Sequence, residues 1–128
     1  MTTHTFLLND FYIIKSIQQI DSKISATIVL NEQHAIFKGH FEQMPVVPGV
    51  CQTQIIKEIL QQQVSKTLTL KKGDNIKFTA MIIPTQHQTV NVEIVFQPKQ
   101  EGELFVEATL FFKDITFTKF KGTFINSI

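Results

Sequence analysis

Between Pro48 and Ser65 the apolar residues Ile55, Ile56, Ile59, Leu60 and Val64 recur at three- and four-residue spacing through a background of Gln, Lys and Glu. That spacing predicts one helix over 49–65, about 24 Å long at 1.5 Å rise per residue, with Pro48 suited to its first turn. Elsewhere the period is two. The stretch from Phe11 to Leu30 is rich in Ile, Val and Thr and is broken by Asp21-Ser22-Lys23, which predicts a leading hairpin. Lys71-Lys72-Gly73-Asp74 reads as a turn after the helix, and from there the alternating pattern runs to the C-terminus. Val90, Val92, Ile94 and Phe96 mark one strand, and Leu104, Val106, Ala108, Leu110 and Phe112 a second. Residues 98–102 join these two, and Lys113-Asp114 leads into a third strand, Ile115 to Ile125. In that strand Ile115 and Phe117 have odd parity while Phe120, Gly122 and Phe124 have even parity, which demands a bulge or bend near Lys119.

One long helix among about six strands points to a curved antiparallel sheet wrapping its apolar face around that helix. The expected architecture is α+β, as one domain over residues 1–128. The strand from Leu104 to Phe112 is apolar on both faces, with Phe105 and Phe111 opposite the core set. A further layer is therefore expected over it, either a second subunit or a bound acyl chain.

Composition narrows the function. Twelve Lys and Arg against eleven Asp and Glu leave a net charge of +1, which provides no global field for nucleic acid or an anionic membrane. A single cysteine fits a reducing, cytoplasmic setting and builds neither an internal disulfide nor a Cys-rich zinc site. No signal-type segment or apolar run of about 18 residues occurs. His4, His34 and His87 share no ligand spacing with His40 or with an acid, and no phosphate-binding glycine loop is present, so neither a metal nor a nucleotide cofactor is expected.

The chemistry concentrates in Gly39-His40-Phe41-Glu42-Gln43-Met44-Pro45-Val46-Val47-Pro48-Gly49-Val50. A histidine precedes a loop restrained by two prolines, and the loop feeds a helix whose first N–H groups are free to bind a carbonyl oxygen or oxyanion. With an ordinary pKa of about 6.5, His40 can take a proton at neutral pH. The same residues also suit a surface histidine in a proline turn.

At these positions the chain resembles the beta-hydroxyacyl-acyl-carrier-protein dehydratases of the hotdog fold. Gly39, His40, Phe41, Pro45, Pro48, Gly49 and Val50 match that family's motif in order and spacing. The hairpin, central helix, Lys-Gly-Asp segment and terminal meander follow the family's order through nearly the whole chain. The resemblance implies a 3-hydroxyacyl thioester substrate on an acyl carrier protein, no cofactor, and a dimer sharing its sites between subunits. It also implies that His40 removes the C2 proton, that the Gly49 N–H polarises the thioester carbonyl, and that Phe41, Val46, Val47, Pro48 and Val50 line the acyl site.

Two departures stand out. Glu42 replaces the proline that commonly follows His-Phe. Gln54, fourteen residues after His40, stands where the family has its acidic residue. An amide can orient a hydroxyl or a thioester but is no general acid. One turn on, Glu58 occupies a position where many relatives have glutamine; on a helix it shares a strip with Cys51 and Gln54, about 6 Å further along the axis. Glu58 is expected to be a solvated helix glutamate, with a place in the site as the alternative. Cys51 is expected to be a small buried filler, although a helix start can activate a thiol. Lys71, Lys72 and Lys77 form a basic group that could attract an acidic carrier protein or simply face solvent. The functions left open are a 3-hydroxyacyl dehydratase, a subunit without its acid that pairs with an active hotdog partner, and, third, a thioesterase.

Overall fold

The structure is a computed structural model that describes residues 7–39 and 45–126. Its elements, in chain order, are β1 (Tyr12–Ile20), β2 (Lys23–Leu30), α1 (Ala35–Gly39), α2 (Gly49–Val64), β3 (Leu68–Phe78), β4 (Thr89–Pro98), β5 (Glu103–Phe112) and β6 (Ile115–Asn126). The six strands form one antiparallel sheet in the order β1-β2-β4-β5-β6-β3. The leading hairpin turns at Asp21, which takes the left-handed backbone (φ 53°) that aspartate tolerates. The terminal meander turns at Gly102 (φ 76°) and Lys113 (φ 54°).

Helix α2 buries Ile55, Ile56, Ile59 and Leu60 against the sheet face formed by Ile24, Ile28, Val90, Ile94, Val106, Leu110 and Phe124. These residues are the ones the two periodicities select, because a helix stripe and one face of a pleated sheet are the surfaces that can meet dry. The helix ends as Ser65 enters the left-handed region (φ 56°, ψ 42°) with its N–H donated to the Gln61 carbonyl. Its buried side chain also fixes the next strand, since Leu68 N–H donates to Gln61 Oε1 at 2.8 Å.

Two expectations are corrected. Lys71 to Asp74 is not a turn but the middle of β3, where the register against β6 slips between Leu70 and Lys72 and again between Gly73 and Asn75. The turn-type residues are absorbed as two bulges, each an extra residue that increases local twist. The alternating pattern also does not run unbroken from there: residues 79–88 are irregular, tied down by Thr79 N–H and Ala80 N–H to the Phe117 carbonyl and by Leu30 N–H to the Gln88 carbonyl. Phe105 and Phe111 on β5 are half-buried, so part of each side chain stays accessible on the outward face of that strand. Among the described residues the large exposed apolar side chains are Ile13, Ile17 and Ile20 on β1, Leu70 and Phe78 on β3, Val50 and Met81 beside the start of α2, and, away from the edges, Val95 on β4 and Ile115 on β6.

The parity switch in the last strand is present as expected. Leu110 faces Thr118 while Phe111 faces Thr116, which leaves Phe117 as the extra residue. Phe117 is fully buried against the His87 ring. The short α1 was not legible: its five residues are too few for a periodic signal, and its first turn is set by a side chain, His34 Nδ1 accepting the Ile36 N–H at 3.0 Å.

Candidate functional site

The loop entering α2 is clamped from both sides. Val47 N–H donates to the Ile82 carbonyl at 2.9 Å, and Gln52 Nε2 donates to the Val47 carbonyl at 3.1 Å. Gln52 Oε1 in turn accepts from Thr118 Oγ1, so one buried amide joins loop, helix and β6. A buried amide satisfied at both ends fixes its partners in one geometry. Sequence reasoning missed Gln52, yet a signal existed: Ile55, Ile56 and Ile59 follow it at three, four and seven residues, which puts it on the core stripe.

Pro48 precedes the first turn with extended backbone (φ −62°, ψ 149°), and its carbonyl accepts from Cys51 and Gln52. The Gly49 and Val50 N–H groups therefore stand ahead of the first intrahelical bonds, as an oxyanion site requires. A Cβ at Gly49 would lie 2.7 Å from Phe78 Cζ, so glycine is what lets the β3 aromatic close over the helix start. Val46 and Pro48 are half-buried here, Val50 is 75% exposed, and Val47 points into the core. His40 and Phe41 lie outside the described residues.

Further along the same helix edge, Gln54 and Glu58 are in contact, with Gln54 Nε2 donating to Glu58 Oε2 at 2.9 Å. The expectation of a solvated Glu58 is overturned, because it has 0% exposure. A carboxylate survives burial only where donors replace water, and here the N-terminal segment supplies them. Leu7 N–H donates to Oε2 at 3.0 Å, Leu8 N–H to Oε1 at 2.9 Å, and the Tyr12 hydroxyl to Oε1 at 3.0 Å. Burial first and the Glu58 charge second push the Tyr12 hydroxyl well above the ordinary phenol range. Cys51 is buried as expected of a filler, and the same two causes in the same order raise its thiol, opposite to the activation a nucleophile needs.

The basic group after the helix is partly neutralised. Lys71 pairs with Glu103 and Lys72 with Asp74 at 3.5 Å, while Lys77 sits across from Lys119 in the β3–β6 ladder. Lys77 and Lys119 line a depression of about 450 Å³, together with Lys121, Glu93 and Glu107. That depression lies on the outer face of the sheet and has a charged lining, so it is not an acyl site. Among the described residues no cluster of His, Cys, Asp and Glu could hold a metal ion, and no helix is long and apolar enough to cross a membrane.

A sheet wrapped on one helix, with a glycine-opened helix start and an amide–carboxylate pair on its edge, invites comparison with known proteins. Residues 16–121 match the family model of the ApeI-like dehydratases. The chain belongs to that family. It is also 30% identical over 99 residues to the 3-hydroxyacyl-acyl-carrier-protein dehydratase FabZ of Brucella ovis, an alignment covering 68% of this chain and 62% of the relative. FabZ of Brucella suis matches to the same extent, so the chain spans 62% of the length of these curated relatives. Among solved structures, the dehydratase heterocomplex ApeI:P from Xenorhabdus doucetiae superimposes with a TM-score of 0.72 at 20% identity, covering 89% of this chain and 97% of that one. A hypothetical thioesterase with coenzyme A from Streptococcus pneumoniae superimposes at 0.62 with 7% identity, over 91% and 85% of the two chains. The fold of this ApeI-like chain is the hotdog, as the motif around His40 and Gly49 implies, and it is a divergent dehydratase-like member.

Proposed function

We propose that this chain binds 3-hydroxyacyl groups held as thioesters on an acyl carrier protein, in fatty-acid or polyene-type synthesis, and takes part in their dehydration as one half of a paired hotdog site. His40 accepts the C2 proton, the Gly49 N–H polarises the thioester carbonyl, and Gln54 orients the 3-hydroxyl. Phe41, Val46, Pro48 and Val50 border the acyl chain. The C3–O bond breaks as the C2=C3 bond forms, and water leaves with a proton that an acid must supply. Such an elimination is redox-neutral and calls on no cofactor.

The observation that carries the pairing is the amide at 54, whose nitrogen is committed to Glu58. Since neither Gln54 nor an engaged Glu58 is placed to release a proton to substrate, the acid comes from a partner hotdog subunit. The comparison with a dehydratase that is itself a heterocomplex favours this over a self-sufficient enzyme. Thioester hydrolysis, suggested by the thioesterase likeness, is the lesser reading, because among the described residues the site offers only Glu58, whose carboxylate is already engaged.

The test is turnover of a 3-hydroxyacyl thioester by the isolated chain and by the chain with a co-encoded hotdog partner. Gln54→Glu should raise turnover by the isolated chain by up to about 10²–10⁴-fold, the worth of a general acid. His40→Ala should abolish any turnover while leaving the fold intact. Loss of activity in Glu58→Gln, with little effect of Gln54→Glu, would instead make Glu58 the acid.

A further inference from the structure

Among the described residues four donors converge on Glu58, two on each oxygen: Leu7 N–H and Gln54 Nε2 on Oε2, Leu8 N–H and the Tyr12 hydroxyl on Oε1. A carboxylate offers about four lone-pair positions and accepts only. Gln54 can therefore meet it with the nitrogen end of its amide and not with the oxygen. Turning the amide over would set Oε1 against a carboxylate oxygen and forfeit a charge-assisted hydrogen bond. Among the described residues none donates to Gln54 Oε1, and the Gln54 side chain is half-buried, about 7.5 Å along the helix from Gly49 at 1.5 Å per residue.

We infer that Glu58 is a positioning residue that fixes position 54 as a hydrogen-bond acceptor, and that this chain thereby selects a 3-hydroxyacyl over a 3-oxoacyl thioester. The inference rests on the acyl-thioester reading above. A hydroxyl donates to Oε1, whereas a keto oxygen, an acceptor itself, meets another acceptor and loses its water for nothing. An untethered glutamine would discriminate poorly, because its amide can rotate to offer either end. Glu58 removes that freedom, and the N-terminal segment keeps Glu58 in place.

The experiment measures, by calorimetry on the full chain, the affinities of non-hydrolysable amide analogues of 3-hydroxyacyl- and 3-oxoacyl-pantetheine of equal chain length. The wild type should hold the 3-hydroxy analogue about tenfold more tightly, the worth of one hydrogen bond. Glu58→Gln, which can meet Gln54 in either sense, and Gln54→Leu should both bring the ratio towards one. Tyr12→Phe, which takes a donor from Glu58 without touching Gln54, should keep it. Equal affinities in the wild type, or an unchanged ratio in Gln54→Leu, overturn the inference while leaving the acyl-thioester reading intact. Binding of neither analogue overturns both. Should Glu58→Gln fail to fold, the side-chain amide resonances of Gln54 in the wild type decide: one slowly exchanging, shifted proton supports the tether, and a pair exchanging like a free glutamine refutes it.

Discussion

A carboxylate without exposed surface is costly unless its donors stay in place, and Glu58 shows how closely a single residue can bind distant parts of the chain. Replacing it with Ala leaves the Leu7 and Leu8 N–H groups without an acceptor, and the expected loss of stability is about 2–4 kcal/mol in urea denaturation. Tyr12→Phe should lose less, about 1–2 kcal/mol, because the carboxylate retains its other donors. A Glu58→Ala loss no greater than that of Tyr12→Phe would contradict the arrangement. Tyr12 is also the only tyrosine. Its hydroxyl is held above the ordinary value of 10.0, so the folded chain keeps the phenol protonated where the unfolded chain ionises it. Its contribution to stability is complete below about pH 10 and falls above it, by up to about 1.4 kcal/mol per pH unit for one proton. Cys51, raised from 9.0, acts in the same direction from lower pH. Phenolate absorbance should therefore appear together with unfolding; a phenolate signal in the folded chain would show that Tyr12 is not buried against Glu58.

At the scale of elements, two glycines differ in what opposes them. A Cβ at Gly122 of β6 would stand 2.6 Å from the Lys72 carbonyl oxygen, backbone that cannot give way without disturbing the bulged β3. Gly122→Ala should cost about 1–3 kcal/mol, as overpacking does, read from the urea midpoint. A Cβ at Gly49 meets only the ring of Phe78, which is 51% exposed and free to swing outward. Gly49→Ala should change stability by less than about 1 kcal/mol, yet weaken thioester binding because the ring no longer closes over the helix start. Equal stability losses for the two variants would refute this distinction. The bulge at Phe117 follows from parity alone, whereas those at Lys71 and Asp74 do not, because Lys-Lys-Gly-Asp satisfies the chemistry of a turn as well as that of a bulged edge strand.

For the whole molecule, the paired site proposed above calls for a second subunit over exposed apolar surface. Phe78, Met81 and Val50 are exposed near the start of α2, and Leu70 is exposed at the other end of the edge strand β3. Sedimentation at micromolar concentration should show a dimer, formed by the chain alone or with a hotdog partner. Leu70→Lys combined with Met81→Lys should shift it towards monomer. A monomer under both conditions would contradict the shared site.

Periodicity along the chain was enough to determine one helix of about the observed length, a leading hairpin, a terminal meander and the core stripe from Ile55 to Leu60, because burial of one face imprints its repeat on the sequence. The helix start at Pro48-Gly49 was legible for a similar reason, since proline and glycine have backbone consequences that need no tertiary context. What the periodicity could not decide was pairing: β3 crosses to the far edge of the sheet beside β6, and no local pattern encodes a neighbour some fifty residues away. Nor could it assign Glu58, which lies at the border of the apolar stripe. Whether such a glutamate meets water or four donors depends on where the N-terminal segment runs, and only the folded chain brings Leu7, Leu8 and Tyr12 to it.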